Sequence, residues 1–309
     1  MRLITRRRAI VLLAGVTGVL AVVLFGKWLD ATRHGGQQYA EPFRIAGNLY
    51  YVGANDVTSF LITSRQGHVL IDGGYPGTPP LIMASIAKLG FKITDVKVLL
   101  NSHAHFDHAG GLAELQKASG AELWVSEGDA DAVASGGVDD ASATFLPARI
   151  LAYLGILRYP APRVDHRFKD GAKITLGPIE LTAHVTAGHT RGCTTWTFPV
   201  RDGDRVLNVV DKCSLNLLPG MRLVEPERYP GVRADFERSF RTLRSLPIDI
   251  WVTSHAREFG RWRKFQESKR VADPVAPFID RDGYYRSIDS SEMSFRKLLA
   301  EQEKGQKGR

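Results

Sequence analysis

Val96-Lys97-Val98-Leu99-Leu100 is a short apolar, β-branched run, the pattern of a buried strand. Residues 112–119 follow with helical spacing and stop at Gly120. Between them the chain turns polar, in Asn101-Ser102-His103-Ala104-His105-Phe106-Asp107-His108-Ala109-Gly110-Gly111. That stretch therefore falls on a loop at a strand end, where open α/β sheets carry their sites. Upstream, residues 50–72 read as two or three strands with turns at Gly53-Ala54-Asn55-Asp56 and Gln66-Gly67. Pro79-Pro80 opens a helix with Ile82, Ile86 and Leu89 on its apolar face, closed by Gly90. Downstream, strands are expected at residues 122–125, 173–176, 179–185, 194–198, 206–210 and 248–253. A polar helix runs toward Ala134, and an amphipathic one covers 233–246 with Phe236, Phe240 and Leu243 on one face. A C-terminal helix is expected over 289–304, with Met293, Leu298 and Leu299 toward the core, and Arg261, Arg263 and Lys264 read as a solvated helix face. Residues 136–168 break the pattern; their Phe145, Leu154 and Ile156 are either pocket walls or plain packing.

At 309 residues and 44% apolar content, the chain can bury one large α/β domain, expected over residues 36–309. The net charge of +8 is uneven: Arg2, Arg6, Arg7, Arg8 and Lys27 contribute five of it with no acid before residue 28. Only about +3 remains for the rest, too little to argue for a nucleic-acid partner. Residues 9–25 form an uncharged apolar run behind that basic start, longer than most secretory h-regions and shorter than a full membrane span. Residues 1–35 are thus read as a signal peptide or N-terminal membrane anchor with a polar linker, which places the domain in a periplasm. Thr5-Arg6-Arg7-Arg8 resembles a twin-arginine export signal.

The chemistry lies in the polar loop. Imidazole and carboxylate are the usual ligands of a catalytic zinc. His103 and His105 are two apart and share a side in an extended segment, so they can grip one ion. Asp107 and His108 stand at the turn into the helix and can face a second. A solvated histidine-rich loop is the plainer alternative, but His-x-His-x-Asp-His argues against it. Two catalytic zincs need about six protein ligands, and the loop offers four. His189, between Gly188 and Gly192, and His255, after a strand, are the candidates for the rest. His68 reads as structural, His166 has no site context, and His184, inside a strand, reads as a core residue or one that supports a ligand rather than as a ligand itself. The two cysteines, Cys193 and Cys213, flank site elements; export permits a disulfide, and two buried thiols are the alternative. Ser294-Phe295-Arg296-Lys297 matches the Ser-x-x-Lys signature of serine β-lactamases, but its Ser-Asp-Asn and Lys-Thr-Gly companions are missing.

Several stretches together resemble the class B metallo-β-lactamases, most closely their third subclass. They are His103-Ala104-His105-Phe106-Asp107-His108, Gly188-His189-Thr190-Arg191-Gly192-Cys193-Thr194-Thr195-Trp196, Ser214-Leu215-Asn216 and Ser254-His255. Gly47-Asn48-Leu49-Tyr50-Tyr51-Val52-Gly53 and Gly67-His68-Val69-Leu70-Ile71-Asp72-Gly73-Gly74 belong to the same likeness, which runs from about Glu41 to the C-terminal region. The loop alone marks only the superfamily, which includes thioesterases, lactonases and nucleases. The resemblance implies a four-layer αββα sandwich with two Zn2+ per chain at one edge between the sheets. It implies His103, His105 and His189 on one ion, and Asp107, His108 and His255 on the other. It implies hydrolysis of penicillins, cephalosporins and carbapenems by a metal-bridging hydroxide that Asp107 orients. Asp72 would then support a ligating histidine. Ser214 would hold a water on the second metal, and Asn216, with help from Lys212, would meet the substrate carboxylate. If Asp211 bridged the metals instead, lactonase or thioesterase chemistry would gain ground. A non-catalytic exported zinc-binding protein is a third reading, weakened because structural zinc sites are closed and cysteine-rich. The expected partner is a small β-lactam, and the expected state a monomer. Export is checked by sequencing the mature N-terminus after expression in a Gram-negative host; a full-length cytosolic product would overturn it.

Overall fold

The computed structural model describes residues 36–138, 140, 150, 154, 155, 157–226 and 228–307. The expected export segment, residues 1–35, lies outside them, as do Phe145 and Ile156; Leu154 is 62% exposed. Seven strands form one sheet in sequence order: β1 (Phe43–Ala46), β2 (Leu49–Tyr51), β3 (Phe60–Ile62), β4 (His68–Ile71), β5 (Val96–Leu100), β6 (Glu122–Ser126) and β7 (His166–Phe168). The first four pair antiparallel, and β4 to β7 pair parallel. A second sheet has the order β12-β11-β10-β9-β8, from β8 (Lys173–Leu176), β9 (Ile179–Val185), β10 (Thr194–Asp202), β11 (Arg205–Lys212) and β12 (Ile250–Thr253). Only β11 and β12 are parallel there.

Alternation along the strands builds the layers. Phe60, Ile62, Val69 and Ile71 enter the core that holds Leu181, Trp196, Phe198 and Val209 of the second sheet. Leu61, Leu70, Leu99 and Leu123 point the other way, into a separate core with Ile82, Ile86, Leu112 and Leu115. Those last four come from α1 (Pro79–Lys88) and α3 (Leu112–Ser119), which cover the first sheet. The second sheet is covered by α5 (Val232–Ser245) and α7 (Arg281–Lys307), through Phe236, Phe240, Leu243, Tyr284, Ile288 and Phe295. The result is the αββα sandwich that the resemblance implied. Between the main helices lie α2 (Phe106–Ala109), α4 (Ala130–Ala134) and α6 (Arg261–Ser268).

Two expectations need correction. Arg261 and Lys264 are buried, not solvated, while Arg263 faces out. The Arg261 guanidinium lies 4.9 Å from the Tyr51 ring centroid, and Lys264 Nζ is 2.8 Å from Asp280 and 5.4 Å from the Trp251 centroid. Aromatic faces and one carboxylate take the place of water around these cations. Met293 is 68% exposed; the buried stripe of α7 is Tyr284, Ile288, Phe295 and Leu299. That helix also starts eight residues before the expected residue 289, at Arg281. Asp280 Oδ1 accepts the Gly283 N–H at 2.8 Å, capping a first turn whose composition reads as a loop.

Cys193 and Cys213 form a disulfide, with Cα atoms 5.9 Å apart across a separation of 20 residues. It joins the start of β10 to the segment leaving β11. A loop of that length restricts the unfolded chain by about 3 kcal/mol. Replacing both cysteines by serine is expected to lower the stability of the metal-free protein by about that amount in urea unfolding.

Candidate metal centre

Three strand ends meet at one edge of the sandwich. β5 delivers residues 101–108, the turn after β9 delivers His189, and the turn after β12 delivers His255. Gly188 has φ +142°, and a Cβ there would come within 2.8 Å of the Phe236 ring. At Gly192 a Cβ would fall 2.0 Å from Ser126 Oγ, so the β9–β10 turn closes only with glycine at both places.

The expected ligands converge. His103, His105 and His189 each place a ring nitrogen within 4.8 Å of the others, with centroids 4.6 to 4.9 Å apart. Beside them, Asp107 Oδ2 lies 3.3 Å from His108 Nε2 and 3.7 Å from His255 Nε2. The two nests share a wall, since the His103 and His108 centroids are 4.2 Å apart. His103, Cys193 and Cys213 also cluster, but those sulfurs are bonded to each other and offer no thiolate.

What lies behind the rings shows whether a metal fits. The Ser102 hydroxyl donates its one proton to Asp72 Oδ2 at 2.6 Å, so His103 donates from Nδ1 to Ser102 Oγ at 2.9 Å. His189 Nδ1 donates to the Asn216 carbonyl at 2.6 Å. His255 Nδ1 faces Asp56 Oδ2 at 3.3 Å, and His105 Nε2 faces Asp140 Oδ2 at 3.4 Å. His108 Nδ1 faces Asp72 Oδ2 at 3.3 Å and its Nε2 faces Asp107 Oδ2 at 3.3 Å, both as ion-pair contacts rather than well-aligned hydrogen bonds. An oxygen thus stands behind every imidazole, the arrangement that fixes tautomer and orientation in ligating histidines. The donor set and its backing fit zinc.

The electrostatics agree. Burial, with neighbouring imidazoles, holds His103 far below its usual pKa and pushes His189 down to about 3, so both are neutral and keep a lone pair. His255 is lowered for the same first reason, burial. Burial would raise the Asp107 carboxyl, but the His108 ring beside it, with His255 and His105, holds it ionised. Burial opposes charge on His108, yet Asp107 and Asp72 raise its pKa strongly. The protein alone therefore gathers positive charge at the spot where a dication would sit.

Asp72 stands behind His108 and, through Ser102, behind His103. It accepts Asn101 Nδ2 at 3.1 Å and the Ser102 N–H at 2.7 Å, besides the Ser102 hydroxyl. Its φ of +62° is rare for a side chain larger than glycine, and the hydrogen bonds hold it there. Three other carboxylates escaped the sequence reading. Asp129 accepts Ala104 N–H (2.9 Å), Thr190 Oγ1–H (2.7 Å) and Gly192 N–H (2.7 Å), tying the β5 loop to the β9–β10 turn. Burial pushes its carboxyl up to about 6 against those bonds. Asp56 also accepts the Arg257 N–H at 3.1 Å and pairs with the Arg257 guanidinium. Asp140 sits in the irregular segment. In the sequence all three look like ordinary loop acids.

Asp211 is buried in β11 and joins neither nest; burial and then Asp72 lift its pKa well above normal. Ser214 is buried just beyond, its Oγ accepting the Asn216 N–H at 3.2 Å. The Asn216 amide donates to Glu258 Oε1 at 2.9 Å, so its backbone carbonyl rather than its side chain serves His189. Lys212 is buried, which lowers its pKa. His68 packs on Phe91, His166 pairs with Glu122, and His184 bonds Thr197, all away from the centre.

Comparison with known proteins agrees with this geometry. The metallo-beta-lactamase superfamily profile matches residues 52–203. The FEZ-1 metallo-beta-lactamase from Legionella gormanii superposes with a TM-score of 0.81 and 37% identity, over 86% of this chain and 98% of that one. GOB-18 from Elizabethkingia meningoseptica gives 0.78 and 33%, over 86% and 94%. A curated relative, the hydroxyacylglutathione hydrolase of Jannaschia sp., is 27% identical over 173 residues, 56% of this chain. This chain spans only about half of that relative's length (52%). The chain belongs to the metallo-β-lactamase superfamily, and its likeness is to the class B enzymes of the third subclass.

If the ligand sets are right, His189→Ala and His255→Ala each lose about one zinc per chain, measured by elemental analysis after dialysis. Unchanged metal content in either variant would break the assignment.

Proposed function

We propose that this chain is a zinc-dependent β-lactamase that opens the amide of penicillins, cephalosporins and carbapenems. One observation carries the reading: five imidazoles and the Asp107 carboxylate, each imidazole backed by an oxygen, form two adjoining nests in a chain that matches nearly the full length of FEZ-1. His103, His105 and His189 would hold one zinc, and Asp107, His108 and His255 another. Bound zinc would supply Lewis acidity and lower the pKa of its water to about 7. Asp107, held ionised, would accept a hydrogen bond from the attacking water and fix its direction. Ser214 and Asn216 stand on the segment leaving β11, where the polar end of a substrate would lie. Direct attack by water needs no covalent intermediate, in keeping with the missing partners of Ser294 and Lys297.

The second reading is a lactonase or thioesterase of the same fold. The likeness to a hydroxyacylglutathione hydrolase favours it. It is weaker because that match covers half the relative, and because Asp211 stands outside both nests. The non-catalytic reading is weaker still, since the nests are built from histidine and aspartate.

We place the enzyme in the periplasm as a monomer, exported by its basic and apolar N-terminus, where the Cys193–Cys213 disulfide would form. Among the described residues no helix is long and apolar enough to cross a membrane, so any tether would be residues 1–35. In that compartment its activity would protect the cell from β-lactam antibiotics.

The purified protein should be offered a carbapenem, a lactone and a thioester, with and without chelator. Chelator-sensitive carbapenem hydrolysis is expected. Lactam turnover that resists chelation would remove zinc from the mechanism, and lactone or thioester turnover alone would favour the second reading.

A further inference from the structure

Residues 213–224 leave β11 at the disulfide, touch the metal centre at Cys213 and Asn216, and then lead toward α5. This segment holds Ser214, and its Asn216 carbonyl fixes His189. It contains neither helix nor strand, so its backbone groups must find partners elsewhere. The Met221 N–H bonds the Leu218 carbonyl at 3.0 Å; the Met221 carbonyl and the N–H groups of Leu223 and Val224 find one side chain. Gln302 Nε2 donates to the Met221 carbonyl at 2.8 Å. Gln302 Oε1 accepts the N–H groups of Leu223 at 2.8 Å and Val224 at 3.2 Å. Met221 and Leu223 are themselves buried.

Gln302 lies near the far end of α7, about two turns beyond Phe295, which docks the helix. Phe295, Leu299 and Gln302 follow at i, i+4 and i+7, so one stripe carries all three. Phe295 is seated against Phe236 and Phe240, with centroids 5.4 and 5.5 Å away. One residue on, Glu303 pairs with Arg233 of α5 at 3.0 Å. The helix end is thus pinned from both sides, and the amide is presented at a set height.

We propose that Gln302 is a positioning residue for the site: it holds segment 213–224 where its polar groups can receive substrate, without touching substrate or metal. An amide suits this task because it both donates and accepts. Glutamate keeps the acceptor and loses the donor. The catalytic part of the proposal rests on the lactamase reading; the structural part does not.

The zinc-loaded full chain should be compared with Gln302→Ala and Gln302→Glu by hydrogen exchange and by kinetics with a chromogenic cephalosporin. In Gln302→Ala, exchange across 214–224 is expected to rise about tenfold while the β5 loop keeps its protection. KM should rise several-fold, with kcat within about twofold and zinc content unchanged. Gln302→Glu should keep most protection at Leu223 and Val224 and recover part of the KM. Unchanged exchange across 214–224 would overturn the proposal, and so would a fall in kcat at constant KM or a loss of zinc. If the native chain cleaves no cephalosporin, the lactamase reading fails by itself, and the exchange result still decides the latch.

Discussion

Five imidazoles and an aspartate share a small buried space, and the structure depends on how that crowding is tolerated. Buried rings bring polar nitrogens that burial penalises unless each meets a partner. The chain meets the constraint by placing an oxygen behind every ring: Ser102 through Asp72, Asp140, Asp72 again, the Asn216 carbonyl and Asp56. Nitrogens on the inner side are left for a cation. The carboxylates behind the rings also lower the potential at the site, so positive charge is drawn there. The same bonds that satisfy the rings therefore give the centre its chemistry.

The surrounding fold serves that arrangement. Three loops carry the ligands, and loops drift unless tied. Asp129 binds the first to the second through three hydrogen bonds. The disulfide ties the second to the segment leaving β11. Asp56 and a short antiparallel bridge between Val57 and His255 hold the third against the first sheet. These ties reach across both sheets, so the centre exists only when the sandwich has closed.

Fold and family do not by themselves name the substrate. The likeness to lactamases spans nearly the whole of FEZ-1, whereas the likeness to a hydroxyacylglutathione hydrolase spans half of that protein. What separates the readings at the site is the end of β11, where Asp211 is buried and stays out of the nests. The segment beyond it instead carries Ser214 and the Asn216 carbonyl that bonds His189.

The sequence by itself determined which histidines and aspartate form the candidate centre, and most of the layers. His103, His105, Asp107 and His108 are close in the chain, so their spacing alone fixes a shared face. Strands such as β8 and β9 were legible because their alternation is regular and Gly177-Pro178 marks the turn between them. Only the tertiary structure decided the rest. β7 shows no pattern of its own and is a strand because β6 pairs with it. Arg261 and Lys264 are buried because Tyr51, Trp251 and Asp280 arrive from distant segments. Cys193 and Cys213 were ambiguous until their backbones were seen side by side. Asp56, Asp129 and Asp140 look like solvated loop acids in the chain. Local spacing reveals residues that act together as neighbours, but a carboxylate that supports a distant ring is defined by a contact, and contacts across the sheets appear only on folding.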